Sequence, residues 1–324
     1  MRSTRKGISG WLLRASITAN AASSTAAAAS DATTSDGVSH CGDAKVVTAL
    51  AAAAVLLVAF AVIEARSSHP LLPLRVLRNR DRSGAYLISL CTGTALIGMF
   101  FFLTLFVQDV WGYSALRTAA AYLPFVPAVL ATTAVTQQGV NRIGPRPLLI
   151  ASSAVAAGGM FWLSRLTEHS TFAGGMLGPE LLLGAGLGPL FVLIFLVGLI
   201  KVATGDTGVA SSLVNVGQQV GGAIGLAIVG TVAWSAVAST RQSAAAAAAQ
   251  AGAHPSAAQA AALQAQIYHH ALAAGFSRGY LVSAGVLVLS LVIALFMMRV
   301  SRADLSGAEP APEPAGDASA PGPT

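Results

Sequence analysis

Residues 208–232 read GVASSLVNVGQQVGGAIGLAIVGTV. The stretch is long and apolar enough to cross a hydrocarbon core of roughly 30 Å, which takes about 20 helical residues. It also holds Gly208, Gly217, Gly221, Gly222, Gly225 and Gly230, and sets Asn215, Gln218 and Gln219 near its start. Lipid is as apolar as leucine, so membrane helices associate by close packing and interhelical hydrogen bonds. Gly217, Gly221 and Gly225 recur at every fourth position and line one face, where a second helix can approach closely. Asn215, Gln218 and Gln219 are three and four positions apart, so they are expected to share a face. Toward lipid these amides are costly, so that face should meet protein or a watery cavity. Interhelical bonding and contact with a solute explain them equally well.

The rest of the chain has the same character. Of its 324 residues 54% are hydrophobic and only 10% charged, against roughly 25% charged in soluble domains, and the mean hydropathy is +0.68. Seven runs are expected to span a membrane, at about 46–64, 84–107, 116–137, 147–164, 172–198, 211–235 and 278–299. The net charge of +6 does not indicate nucleic acid, because the arginines cluster in short connections without interleaved aromatics. One set of connections holds Arg66, Arg75, Arg78, Arg80, Arg82, Arg142, Arg146, Lys201, Arg299 and Arg302. The other holds only Lys45, Arg117, Arg165, Arg241 and Arg278. The first set should be cytoplasmic, which puts the C-terminus inside and Trp111, Trp162 and Trp234 at the outer interface.

Enzymatic chemistry finds no support in the pattern. No nucleophile–base pair, zinc spacing or phosphate-cradling loop stands out, and the GAGLG at 184–188 opens an apolar span instead of following a soluble strand. Cys41 and Cys91 form no framework. His269 and His270 are adjacent, so on a helix they point apart and cannot chelate together; no metal site and no cofactor are expected. The segment 236–277 reads as an outer loop whose alanine runs favour a surface helix. Residues 301–324 (SRADLSGAEPAPEPAGDASAPGPT) read as a disordered cytoplasmic tail.

The stretch that opens this section resembles the penultimate helix of the fourteen-span drug:proton antiporters of the major facilitator superfamily. HPLLPLRVLRNRDRSGAYL resembles the cytoplasmic lead into that family's ninth helix, and GMFFFLTLFVQDVWGYSALRTAAAYLPF its ninth and tenth helices with their outer turn. NRIGPRPLLI and LLLGAGLGPLFV then follow in the family's order, so that the likeness runs from about residue 46 to 300. It implies an all-α membrane protein: a six-helix C-terminal half-bundle over 84–300, preceded by one extra transmembrane helix at 46–64. Residues 1–45 have no counterpart in the family and read as a disordered N-terminal segment.

The resemblance further implies a multi-pass plasma-membrane protein, a truncated multidrug efflux transporter. The parent activity is export of hydrophobic or cationic drugs or toxic metabolites, driven by a proton gradient. Its partners are the bilayer, these small molecules and a complementary N-terminal half, with no nucleic acid. A non-transporting remnant, or a half that works only with its complement, is the alternative; the span count alone also admits a seven-helix receptor. On the family plan the first and fourth helices of the half line a central cavity. Phe102, Phe106 and Gln108 are then candidate substrate contacts, with Phe191 and Phe195 opposite and Asn215, Gln218 and Gln219 at the cytoplasmic end. Asn141, Arg142, Gly144 and Arg146 match the family's D-R-x-G-x-R gating turn with asparagine in place of aspartate, and Gly217, Gly221 and Gly225 are assigned to helix packing. Asp109 and Glu180 are expected near the outer interface and Glu64 and Asp206 near the inner one, so the sequence names no proton-carrying carboxylate.

Overall fold

A computed structural model describes residues 79–200, 202, 206–250 and 257–300, together with Ala52, Val55, Val58, Ala59 and Val62. The chain divides into two compact units, Met1–Pro73 and Leu74–Thr324. In the first unit the five described residues are helical. The remainder of the span expected at 46–64 lies outside the described residues, as do the segments 1–45 and 301–324.

The second unit is built from helices. Helix α1 (Arg80–Leu105) runs on through a π turn (Phe106–Val110), and the short α2 (Ala115–Ala121) leads into α3 (Phe125–Ile143). Then follow α4 (Pro145–Leu163), a π turn (Phe172–Met176) feeding α5 (Leu177–Leu199), α6 (Thr207–Gln250) and α7 (Ala257–Met297). Among the described residues there are six stretches long and apolar enough to cross a membrane. Local chemistry sets where they start. Asn79 accepts from the amides of Asp81 and Arg82 at 3.0 and 3.4 Å, satisfying two of the donors a helix leaves open at its N-terminus. Ser114 caps α2 and Thr171 the π turn before α5 in the same way.

Helix α1 packs against α6, α7 and α5, while α5 packs in addition against α4 and α3, and α7 against α6 and α4. Helix α3 is peripheral: only 11% of its spanning window is buried, and Val126, Leu130, Val135 and Ile143 are exposed. An apolar face left open in this way suits lipid or another membrane-embedded surface.

The segment 236–277, expected as a connection holding a surface helix, is helical over 236–250 and 257–277 and continuous with both flanking spans. Helix α6 does not end near 235 but continues to Gln250, and α7 begins at Ala257, well before 278. Hydropathy marks where a chain leaves the membrane, not where its helix stops, and an alanine-rich sequence stays helical in water. The two extensions form a helical hairpin tied to the α4–α5 connection. His270 Nδ1 lies 2.9 Å from Glu168 Oε1, and the Ser277 hydroxyl donates to the Ser164 carbonyl.

Partial burial disfavours the Glu168 charge, but the hydrogen bond from His270 and the nearby His169 outweigh it, and the carboxyl lies below its ordinary range. A carboxylate so lowered adds stability above its unfolded value, about 4.3, and that stability is lost as pH falls through the folded value. Thermal unfolding in detergent between pH 7 and pH 3 should therefore show a stabilisation of less than about 1 kcal/mol that disappears on acidification. Glu168→Gln should lack it at every pH.

Candidate functional site

The glycine stretch lies along α1. A Cβ at Gly217 would stand 3.1 Å from the Ser89 hydroxyl. At Gly221 it would run into the Leu90 carbonyl and at Gly225 into Thr94. From the other helix, a Cβ at Gly93 would strike the backbone of Gln218. The approach is close enough for side chains to reach across to backbone: Ser89 Oγ donates to the Val214 carbonyl and Thr94 Oγ1 to the Gly221 carbonyl, each at 2.6 Å. Carbonyls already bonded within a helix keep a second lone pair for such donors. The α1–α6 contact is thus a small-residue crossing sealed by two hydroxyls.

The glycines of α5 divide by face. A Cβ at Gly184 or Gly188 would meet the backbone of α3, at Phe125 O (2.9 Å) and Val129 O (2.8 Å). At Gly186 it would meet the Ala156 backbone of α4. Spacing by two puts successive glycines on opposite sides of a helix, so the GAGLG seats α5 between two neighbours at once. Helix α5 continues through Pro189 without ending.

The expected cavity residues separate. Phe102 and Phe106 are buried at 0% and 1% exposure. Phe102 packs against Phe276 and Phe101, and Phe106 against Trp111. Their assignment to an open wall is corrected: they are core. The open side of α1 is carried by Leu96, Ile97, Phe100, Phe101, Thr104 and Leu105, which line a shallow concavity of about 430 Å³. Helix α1 is apolar all round, so no periodicity marked which side faces inward. Gln108 is half-buried in the π turn, and Phe191 and Phe195 are half-buried on α5.

The three amides do not act as one face. Asn215 and Gln219 are exposed, with Asn215 Nδ2 donating to its own helix at Ser211 O, 3.2 Å. Gln218 turns toward α1, where its amide nitrogen is sealed without a partner. Residues three apart differ by about 60° around a helix, which suffices to carry one amide into the seam and leave the others open.

At the opposite end of α3, Gly144 adopts φ 85°, ψ 167° and Pro145 opens α4. Asn141 and Arg142 are exposed. Arg146 donates to the Leu295 carbonyl at 3.1 Å and Arg80 to the Phe296 carbonyl at 2.7 Å. Both guanidinium groups therefore satisfy open carbonyls at the C-terminus of α7, where a cation also complements the helix dipole. Asp81 closes the set by accepting from the Arg299 amide at 2.6 Å. The turn joins three helix ends through hydrogen bonds to backbone.

Sequence reading missed one group. Glu180 is 1% exposed, and neither carboxylate oxygen has a hydrogen-bond partner. A glutamate near an outer helix end ordinarily reaches water, and nothing in the local pattern distinguishes one that does not. Among the described residues no group of His, Cys, Asp and Glu is placed to hold a metal ion.

These features define a multi-pass helical membrane protein whose described spans cross on glycine and seal their seams with hydroxyls. The curated proteins that this chain is similar to are drug and antibiotic exporters of the major facilitator superfamily. It is 31% identical over 271 residues to the puromycin resistance protein pur8 of Streptomyces alboniger, a match covering 82% of this chain and 50% of that protein. It is 37% identical over 204 residues to the cephamycin export protein CmcT of Amycolatopsis lactamdurans (61% of this chain, 41% of that one). To the tetracenomycin C resistance and export protein of Streptomyces glaucescens it is 30% identical over 199 residues (60% and 36%). The chain spans about half the length, or less, of these curated relatives. No family model matches it.

Proposed function

We propose that this chain forms one half of a plasma-membrane exporter of hydrophobic or cationic drugs or toxic metabolites, coupled to proton entry and completed by a second half-bundle. The observation that carries the reading is the match over 82% of the chain to a protein named for puromycin resistance, reinforced by two relatives named for export. Geometry supports it. The apolar, aromatic concavity on α1 suits ligands of that class, and it needs an opposite wall to enclose one. A cytoplasmic C-terminus is supported by the arginines: Arg80, Arg146 and Arg299 meet at one end through their bonds to α7 and Asp81, as a positive-inside arrangement requires.

Ethidium accumulation in a drug-sensitive strain tests the proposal. Cells carrying this chain together with the complementary half of a related exporter should accumulate several-fold less dye than cells with either half, and a protonophore should restore accumulation. Unchanged accumulation with both halves present overturns the export reading and favours a non-transporting remnant. Export that persists with the protonophore overturns the proton coupling alone.

A further inference from the structure

Among the described residues Glu180 is the buried carboxylate inside a spanning segment, and its surroundings are specific. It sits in the first turn of α5, just beyond the π turn, sealed from solvent with both oxygens unpaired. Tyr122 lies at the α2–α3 junction and Tyr280 on α7. The Tyr122 hydroxyl is 2.9 Å from Thr104 Oγ1 and 3.4 Å from the Phe100 carbonyl of α1. The Tyr280 hydroxyl is sealed and without a partner, as is Ser283 Oγ one turn along α7. Tyr122 is thus tied to α1, while Glu180, Tyr280 and Ser283 each bury polar atoms without a partner.

The ionisable groups of every element packed on α5 set its electrostatic surroundings. Helix α3 carries Arg142 and helix α4 carries Arg146, both at the end far from Glu180. Helix α1 carries Arg80, Asp81 and Arg82 at that same far end, and Tyr86, whose hydroxyl bonds Gly198 near the other terminus of α5. Cys91 of α1 is an uncharged buried thiol, and Asp109 in the following π turn is exposed. Helix α6 carries Arg241, in its outer extension, where the guanidinium lies over Tyr268. At the near end Arg117 lies over the Tyr113 ring and Arg165 over the Phe161 ring, and among the described residues no cation bonds the carboxylate.

An ionised carboxylate in such a place, with no counter-charge and no donor, is strongly disfavoured, whereas the neutral acid carries no charge to desolvate. We propose that Glu180 forms a proton-binding site that is occupied in the conformation described here and can empty only when the interior around the first turn of α5 opens to water. The step is a simple ionisation: the O–H bond of the acid breaks, the proton passes to water admitted by the opening, and the electron pair stays on the carboxylate. The site stands independently of drug export, which ethidium accumulation tests separately.

Infrared spectroscopy of the purified full chain in lipid nanodiscs reads the proton directly. At neutral pH the wild type should show the carbonyl stretch of a protonated carboxylic acid, shifted in D2O. Glu180→Gln, which keeps the shape and neutrality of the acid, should elute and fold normally but lack that band. Absence of the band from the wild type, or its persistence in Glu180→Gln, overturns the site. Amide exchange along the first turns of α5, corrected for intrinsic rates, reads the opening. Above the ordinary carboxylate range and up to the pH at which the band disappears it should rise about tenfold per pH unit, the factor expected for one ionisation linked to one opening, and level off beyond. Glu180→Gln should show no such rise, and equal exchange in both proteins overturns the link between ionisation and opening.

Discussion

Gly221→Leu should leave a chain that inserts but does not assemble into a stable bundle. The added side chain is directed at the Leu90 carbonyl of α1, and backbone cannot rotate aside as a flexible side chain can. Relief requires α1 and α6 to separate, which also breaks the bonds from Ser89 to the Val214 carbonyl and from Thr94 to the Gly221 carbonyl. Overpacking of this kind costs about 1–3 kcal/mol and more where nothing yields; two interhelical hydrogen bonds add roughly 0.6 kcal/mol each. A loss of about 3 kcal/mol or more is expected, seen as a collapse of the monodisperse fraction and of the thermal midpoint in detergent. Gly285 supplies the contrast: a Cβ there meets nothing within 4 Å, so Gly285→Leu should be neutral or slightly stabilising through helix propensity. Equal behaviour of the two variants would show that the α1–α6 seam does not hold the bundle together.

Gly144→Ala should have the second largest effect, through backbone conformation. At φ 85°, ψ 167° the residue occupies a region reserved for glycine, and a side chain there costs about 1–3 kcal/mol. Gly144 is also buried, so the turn cannot easily reshape around a methyl group. If it does reshape, Arg146 loses its place over the Leu295 carbonyl and the end of α7 loses a cap. Thermal unfolding should show the drop, and Arg146→Gln should reproduce only the smaller part of it. Asn141 is exposed on the same turn, so Asn141→Asp should leave stability unchanged. A Gly144→Ala protein as stable as the wild type would mean that the turn relaxes freely and is no rigid joint.

The sequence by itself determined which described segments are long and apolar enough to cross a membrane, because length and hydropathy are local properties that lipid reads directly. It likewise determined that α6 would pack closely, since a four-residue glycine spacing admits a neighbour wherever that neighbour comes from. Tertiary structure decided which neighbour. Nothing in residues 208–232 names α1, or the Ser89 and Thr94 hydroxyls that close the seam. Nothing in α1, apolar on every side, announced that Phe102 and Phe106 face the core while Phe100 and Phe101 border the open concavity. The alanine runs announced a helix between the last two spans, but not that it would be continuous with both of them, because alanine continues a helix without marking where a span ends. Glu180 escaped for the complementary reason: its burial is the work of helices distant in sequence, and a carboxylate becomes a proton-binding group only through what surrounds it. Position along the chain is local, whereas desolvation is a property of the assembled fold.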